Sequence, residues 1–492
     1  MKFTSKNRCT WFDNSRVRNL EKNSDKLRTG VRWSAIERII TQIAQLGILL
    51  ILSRILGPKA YGLIGMLTIF IAISQTLVDS GFSSALIRRN KNSQKQYSTI
   101  FWFNLIVSLL IYAVIFFMSP HISAFYREKE LSDILRVLSL LVIINALSIV
   151  HRARLTIMMD FKTQTKISLI AVLGSGVVSV ILAKNGWGVW ALVVNNLVFA
   201  TISTFLYFWF CKWLPDFIFQ LKFFKVTAAF SVKLMIASLL NTFFDNIYQL
   251  VIGKVFYPTQ VGYFTQAKNL TLLPANTYSA IIQRVTYRYF SEIKNDRVRL
   301  RQKYEEVMRI SAFIFFPLMI SFSIFSNNII VFLIGKEWEE AAKYISILSW
   351  CYVLYPIHAI SLNILNVFGR SDLFLKVEII KKIIITVCLI TTYQYGISAI
   401  CMGMVFYSLL ATYINTIHTN RIIKTNFIAL IRIISPIAFI SMLSATISFV
   451  ICKFFDNNII YIFGIMISLI IYYLIYYFVD RKIVLTIWKV NK

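Results

Sequence analysis

From Ser34 onward, long unbroken apolar runs are separated by short stretches that hold most of the polar residues. Each run is about 20 residues long, enough for a helix to cross a hydrocarbon core of roughly 30 Å. The runs are continuous and do not alternate polar with apolar residues. They therefore read as helices, which satisfy their own backbone inside lipid, and not as the strands of a barrel. About fourteen spans are expected by this length rule: 34–56, 60–82, 97–118, 131–151, 167–183, 189–211, 228–256, 260–282, 310–330, 341–367, 375–393, 398–419, 434–454 and 459–478. The fold class is an all-α polytopic membrane protein. No loop is long enough to fold alone; the largest, 283–309, reads as one amphipathic basic helix on the membrane surface or a solvated connector.

The polar stretches carry an uneven charge. Basic residues alternate between rich and poor segments by roughly four to one, the poor set being Arg54, Lys59, Arg127, Lys129, Arg136, Lys184, Lys254, Lys336, Lys343 and Lys453. The positive-inside rule then puts both termini in the cytoplasm. Residues 1–33 read as a basic cytoplasmic leader without a cleavage site.

Two segments of this pattern recur. "SRILGPKAYGLIG" from Ser53 matches "GKVFYPTQVGYFT" from Gly253, pairing Pro58 with Pro258 and Gly62 with Gly262. "SPHISAFYREKE" from Ser119 matches "SNNIIVFLIGKE" from Ser326, and Lys166 and Gly188 match Lys376 and Gly396 at nearly the same offset. The organisation expected is a six-helix lobe at 34–225, a homologous six-helix lobe at 226–426, and two additional helices with a tail at 427–492. An even number of spans per copy gives both copies the same orientation, with a substrate path where the repeats meet and transport by alternating access.

Composition adds one distinction. The 492 residues are 57% hydrophobic and 15% charged, with a net charge of +30. In a soluble chain that charge would point to nucleic acid; here the positive-inside rule accounts for it, and no nucleic-acid partner is expected. The six cysteines include no C-x-x-C pair, and the four histidines show no metal spacing. No phosphate-binding glycine loop is present. No cofactor or metal is expected, and the drive should be a Na+ or H+ gradient, the membrane potential or removal of product.

Charge inside a span is expensive and marks function by default. In the first span Arg38, Thr41, Gln42 and Gln45 share a helical face, and in the seventh Ser238, Asn241, Thr242, Asp245 and Gln249 do the same. The repeat pairs Thr41 with Asn241 and Gln45 with Asp245. Such stripes line a cavity or hold helices together, and the two charges favour the cavity. Gln266 and Lys268 in the eighth span extend it, with Lys268 lining it or pairing with Asp245. Arg54 and Arg284 are weaker candidates for substrate entry or head-group contact. Asp245, Asp79 and Glu37 are weak candidates for ion coupling, although Asp79 can equally serve a helix end and Glu37 can neutralise Arg38. His358, beside Pro356, is a proton carrier or a packed histidine.

Several segments resemble a known family: "GVRWSAIERIITQIAQLGILLILSRILGPKAYGLIGM" from Gly30, "DSGFSSALIRR" from Asp79, "NTFFDNIYQLVIGKVFYPTQVGYFTQAKNLTLLP" from Asn241, "FPLMISFSIFSNNIIVFLIGKEWEEAAKYISILS" from Phe316 and "LNVFGRSDLFLKVEIIKK" from Leu365. Over about Gly30 to Asn426 the chain resembles the polysaccharide transporter family of flippases, within the superfamily that also holds MATE-type multidrug exporters and lipid II flippases. The likeness is to the branch exporting colanic-acid-like, teichuronic-acid-like and lipopolysaccharide repeat units. The resemblance implies a V-shaped pair of six-helix lobes, a cationic cavity, and transfer of an undecaprenyl-diphosphate-linked oligosaccharide to the outer leaflet of the bacterial inner membrane. It implies membrane lipids, and other polysaccharide assembly proteins, as partners, and a transporter without enzyme activity. The alternatives are a MATE-type drug/cation antiporter, which would want isolated buried acids in the first lobe, and a membrane polymerase or glycosyltransferase, which would want a large outer loop or an acidic cluster.

Overall fold

The computed structural model describes residues 14–79, 81–89, 92–454 and 458–480, with side chains from Ile40 onward except at 458, 459 and 462. The helices are α1 (Asn14–Asp79), α2 (Phe82–Arg89), α3 (Gln94–Tyr126), α4 (Glu130–Leu138), α5 (Leu140–Ile157), α6 (Phe161–Lys184), α7 (Val189–Cys211), α8 (Leu221–Val255) and α9 (Pro258–Ile293). They continue with α10 (Arg297–Ile324), α11 (Ser326–Ile334), α12 (Glu339–Tyr352), α13 (Tyr355–Val367), α14 (Ser371–Thr392), α15 (Ile397–Ile423), α16 (Phe427–Lys453) and α17 (Asn458–Val479). No strand occurs among the described residues. The protein is an all-α, multi-pass membrane protein.

The expected spans fall on helical segments, although 131–151, 310–330 and 341–367 each run across a break between two helices. Ten apolar stretches among the described residues are long enough to cross a membrane. Neither α9 nor α14 is among them, because α9 carries Gln266 and Lys268 and α14 carries Glu378, Lys381 and Lys382. The first two spans lie on one helix, α1, which is broken at Gly57 (φ 67°, ψ 178°) before Pro58. That backbone conformation strains any residue with a Cβ. The expected single helix over 283–309 is a correction. The chain turns after Ile293, and Asp296 caps a new helix by accepting the Arg299 N–H at 3.0 Å, so the segment is the end of α9 and the start of α10.

Compact packing divides the chain into two units. One runs to Ile55 and then from Leu67 to Phe243; the other holds Leu56–Met66 and everything from Phe244 onward. In the first, α7 packs on α5 and α6, and α3 on α5. The segment between α7 and α8 is strapped to the start of α3: the Trp102 indole donates to the Asp216 carbonyl (2.8 Å), Gln94 to the Leu214 carbonyl (2.8 Å), and the Gln220 N–H to Thr99 Oγ1 (3.0 Å).

The second unit contains a crossing between repeat-related segments. A Cβ on Gly62 would lie 1.7 Å from the Pro258 carbonyl oxygen, and one on Gly262 1.9 Å from that of Pro58. Only glycine permits this backbone approach, the small-residue packing that membrane helices use where lipid supplies no hydrophobic drive. One turn on, a Cβ on Gly65 would meet the Thr265 hydroxyl at 2.5 Å. The buried Trp338 sets its ring edge-on to both Tyr61 (5.6 Å) and Tyr263 (6.1 Å) beside the crossing.

Candidate functional site

The polar stripe of α8 and the one charged residue of mid-α9 meet in the second unit. Asp245 and Gln249 stand one helical turn apart, and Lys268 projects across to them from α9. Its ammonium donates to the backbone carbonyl of Asp245 at 2.6 Å and to Gln249 Oε1 at 3.0 Å. Lys268 is 8% exposed, Gln249 4%, and Gln266 is fully buried. The expected Lys268–Asp245 contact therefore exists, but through the main chain. The Asp245 residue is exposed, which leaves its carboxylate accessible to another ligand.

A third element completes the cluster. Helix α14 carries Glu378, Lys381 and Lys382, spaced so that all three share a face. Lys381 is buried and forms an ion pair with Glu378. The Lys382 ammonium lies 5.7 Å from the centre of the Phe244 ring. Lys268, Lys382, Glu378 and Lys381 all act electrostatically on Asp245. Three ammonium groups thus face two carboxylates, and the cluster is net cationic. Lys381 and Lys382 lie within the expected span 375–393. The spacing of Glu378, Lys381 and Lys382 was the signal that could have found them.

His358 is packed and hydrogen-bonded: its Nε2 lies 2.7 Å from Thr412 Oγ1 and 3.2 Å from the Ser408 carbonyl. Thr41 and Gln42 are half-buried on α1, and Gln45 and Asn241 are exposed. Arg54 and Arg284 are exposed as well. Asp79 closes α1 and accepts from the Ser83 hydroxyl at 2.5 Å. The side chains of Glu37 and Arg38 lie outside the described residues. Among the described residues no group of His, Cys, Asp and Glu is placed to hold a metal, and Cys211, Cys351, Cys388, Cys401 and Cys452 are free thiols.

Known proteins share this fold. The lipid II flippase MurJ, in an inward closed conformation, superposes with a TM-score of 0.72 over 91% of this chain and 100% of its own, at 16% identity. An inward-facing multidrug resistance MATE transporter of the MOP superfamily superposes with a TM-score of 0.61 over 80% of this chain and 99% of its own, at 17% identity. By sequence, the chain is 24% identical to the teichuronic acid biosynthesis protein TuaB of Bacillus subtilis (strain 168), over 71% of this chain and 72% of TuaB. It is also 24% identical to the lipopolysaccharide biosynthesis protein WzxC of Escherichia coli (strain K12), over 80% of each. Residues 51–343, more than half of the chain, match the family described as polysaccharide biosynthesis protein, and the chain belongs to that family.

Proposed function

We propose that this protein is a flippase that moves an undecaprenyl-diphosphate-linked oligosaccharide repeat unit from the cytoplasmic to the outer leaflet of a bacterial inner membrane. The observation that carries this reading is the cluster of Lys268, Lys381 and Lys382 on α9 and α14 beside the apolar helix α8. A net cationic site inside lipid is costly to keep without a partner. A diphosphate supplies the complementary charge through strong charge-assisted hydrogen bonds. The isoprenoid tail stays in the bilayer while the sugars cross in water, and the chain alternates between inward and outward access.

Both termini are cytoplasmic in this reading, from the distribution of basic residues. A Na+ or H+ gradient or the membrane potential supplies the drive, with Asp245 as the accessible carboxylate. Deletion of the gene tests the proposal. The lipid-linked unit should accumulate on the inner leaflet, with delivery restored by the wild-type gene. Undiminished outer-leaflet delivery in a strain lacking any redundant flippase would refute it.

A further inference from the structure

The first unit holds an open cavity of about 370 Å³ that neither the sequence stripes nor the lysine cluster includes. Three helices build it. From α1 come Gln75 and Asp79; from α5, Asn145 and Arg152; from α7, Asn196 and Phe199. Its apolar walls include Val78, Leu141 and Val142. Gln75 and Asn145 make no side-chain hydrogen bond to protein among the described residues. Asn196 uses only its N–H group, donating to the Leu192 carbonyl at 2.9 Å. The Arg152 guanidinium sits over the Tyr207 ring at 5.6 Å with no carboxylate partner among the described residues.

Gln75 and Asn145 are half-buried and Asn196 is exposed, so their amide groups are open to bond a ligand in place of water. Each carboxamide offers both donors and an acceptor, the pattern that suits hydroxyl groups. One carboxylate and one guanidinium balance in charge, so the cavity is a poor site for a diphosphate. Its volume lies in the range of about 300–1,000 Å³ typical of small-molecule sites, far larger than one dehydrated ion needs. Phe199 adds an apolar ring face, against which a sugar can lay its C–H groups. Asp79 stands at the end of α1 that leads to Arg88 and Arg89, the side that the basic residues place in the cytoplasm.

We infer that this cavity is a saccharide subsite, which receives a sugar of the lipid-linked oligosaccharide at the cytoplasmic side while the diphosphate is held elsewhere. The inference rests on the flippase reading and assigns recognition of the sugar to the first unit. Hydroxyl groups of a neutral sugar bond to Gln75, Asn145 and Asn196, and Asp79 and Arg152 bracket the opening.

Two probes test it on the full-length protein in lipid nanodiscs: bare undecaprenyl diphosphate, and the undecaprenyl-diphosphate-linked oligosaccharide extracted from cells lacking the gene. Native mass spectrometry reads both affinities. Wild type should favour the sugar-bearing lipid. Gln75→Leu/Asn145→Leu should weaken that lipid's binding about tenfold, or about 1.4 kcal/mol, and leave the bare lipid unchanged. Val142→Phe, which fills the cavity without touching a polar group, should produce the same selective loss and stands as the check if the double variant fails to fold. Preference retained in either folded variant would overturn the subsite. A preference intact with Na+ or pH dependence lost would also overturn it, reassigning the cavity to an ion. Equal binding of both lipids by wild type would defeat the subsite alone, whereas binding of neither would defeat the flippase reading as well.

Discussion

The two units carry opposite kinds of polar chemistry in related helical frames. The first holds an open cavity of neutral carboxamides with one acid and one base at its rim. The second holds a tight cluster in which Lys268 and Lys381 are buried and already bonded to protein. At repeat-related positions the difference is direct: Gln45 in one copy, Asp245 in the other. A neutral amide in lipid costs far less than a charge and can wait for a ligand. A charge has to be neutralised in every state the protein visits. An amide-lined cavity can therefore exchange water for a ligand, whereas a buried ammonium cluster stays braced by its own carboxylates and carbonyls until a complementary anion arrives.

The sharpest way to break this comparison is to unbrace the charge. Lys381→Met leaves the half-buried Glu378 without its partner and should destabilise the protein by up to about 3 kcal/mol. Glu378→Gln added to it should recover most of that loss. Thermal unfolding in detergent followed by tryptophan fluorescence checks both. Equal stability of wild type and Lys381→Met would show that the pair is solvated and that the second unit is no different from the first. Lys268→Met should reduce outer-leaflet delivery at least tenfold at unchanged membrane insertion, since its loss removes a cation from the proposed head-group centre.

The fold was largely legible because lipid imposes a simple rule on sequence: a spanning helix needs about 20 apolar residues. That rule placed apolar helices along the chain, ten stretches of which are long and apolar enough to cross a membrane among the described residues, and it put the break between the first two expected spans at Gly57 and Pro58. It failed where polarity was local. The capping of α10 by Asp296 ended a helix that the amphipathic pattern of 283–309 seemed to continue. Lys268 was legible as a site because it stands alone in mid-span, but one of its two acceptors is a backbone carbonyl, which no residue type announces. Lys381 stands next to Lys382 and near Lys376, and such a basic run reads as loop charge. Gln75, Asn145 and Asn196 are single amides in three separate apolar runs, and only packing of α1, α5 and α7 brings them together.

The glycine crossing in the second unit separates backbone contact from side-chain contact. Gly62→Ala meets the Pro258 carbonyl, which has nowhere to go, and Gly65→Ala meets only the Thr265 hydroxyl. Each should cost about 1–3 kcal/mol by overpacking. Thr265→Ala should rescue Gly65→Ala and leave Gly62→Ala unimproved, measured as recovery of the thermal transition. Rescue of both would mean that the helices part easily and that the crossing is not a backbone contact.

The smallest effect belongs to a second ion pair on α14, and it calibrates the first. Arg370 donates to both carboxylate oxygens of Asp372, at 2.9 and 2.8 Å, with both side chains largely exposed at the helix start. The guanidinium holds the Asp372 carboxyl at about 2, below the usual carboxylate value of about 3.9. Because the folded value is depressed, the pair's contribution is fully present above pH 4 and fades as pH falls toward 2. Water screens it throughout. Arg370→Ala should therefore return the Asp372 titration to the ordinary range, read by the ¹³C shift of a labelled carboxyl, with no measurable change in Tm at pH 7. Glu378 and Lys381, less than three helical turns further along the same helix, form the same kind of pair with much less water around it. A clear fall in Tm for Arg370→Ala, matching that of Lys381→Met, would mean that burial does not set the worth of these pairs, and the contrast between a charged second unit and a neutral first one would lose its physical basis.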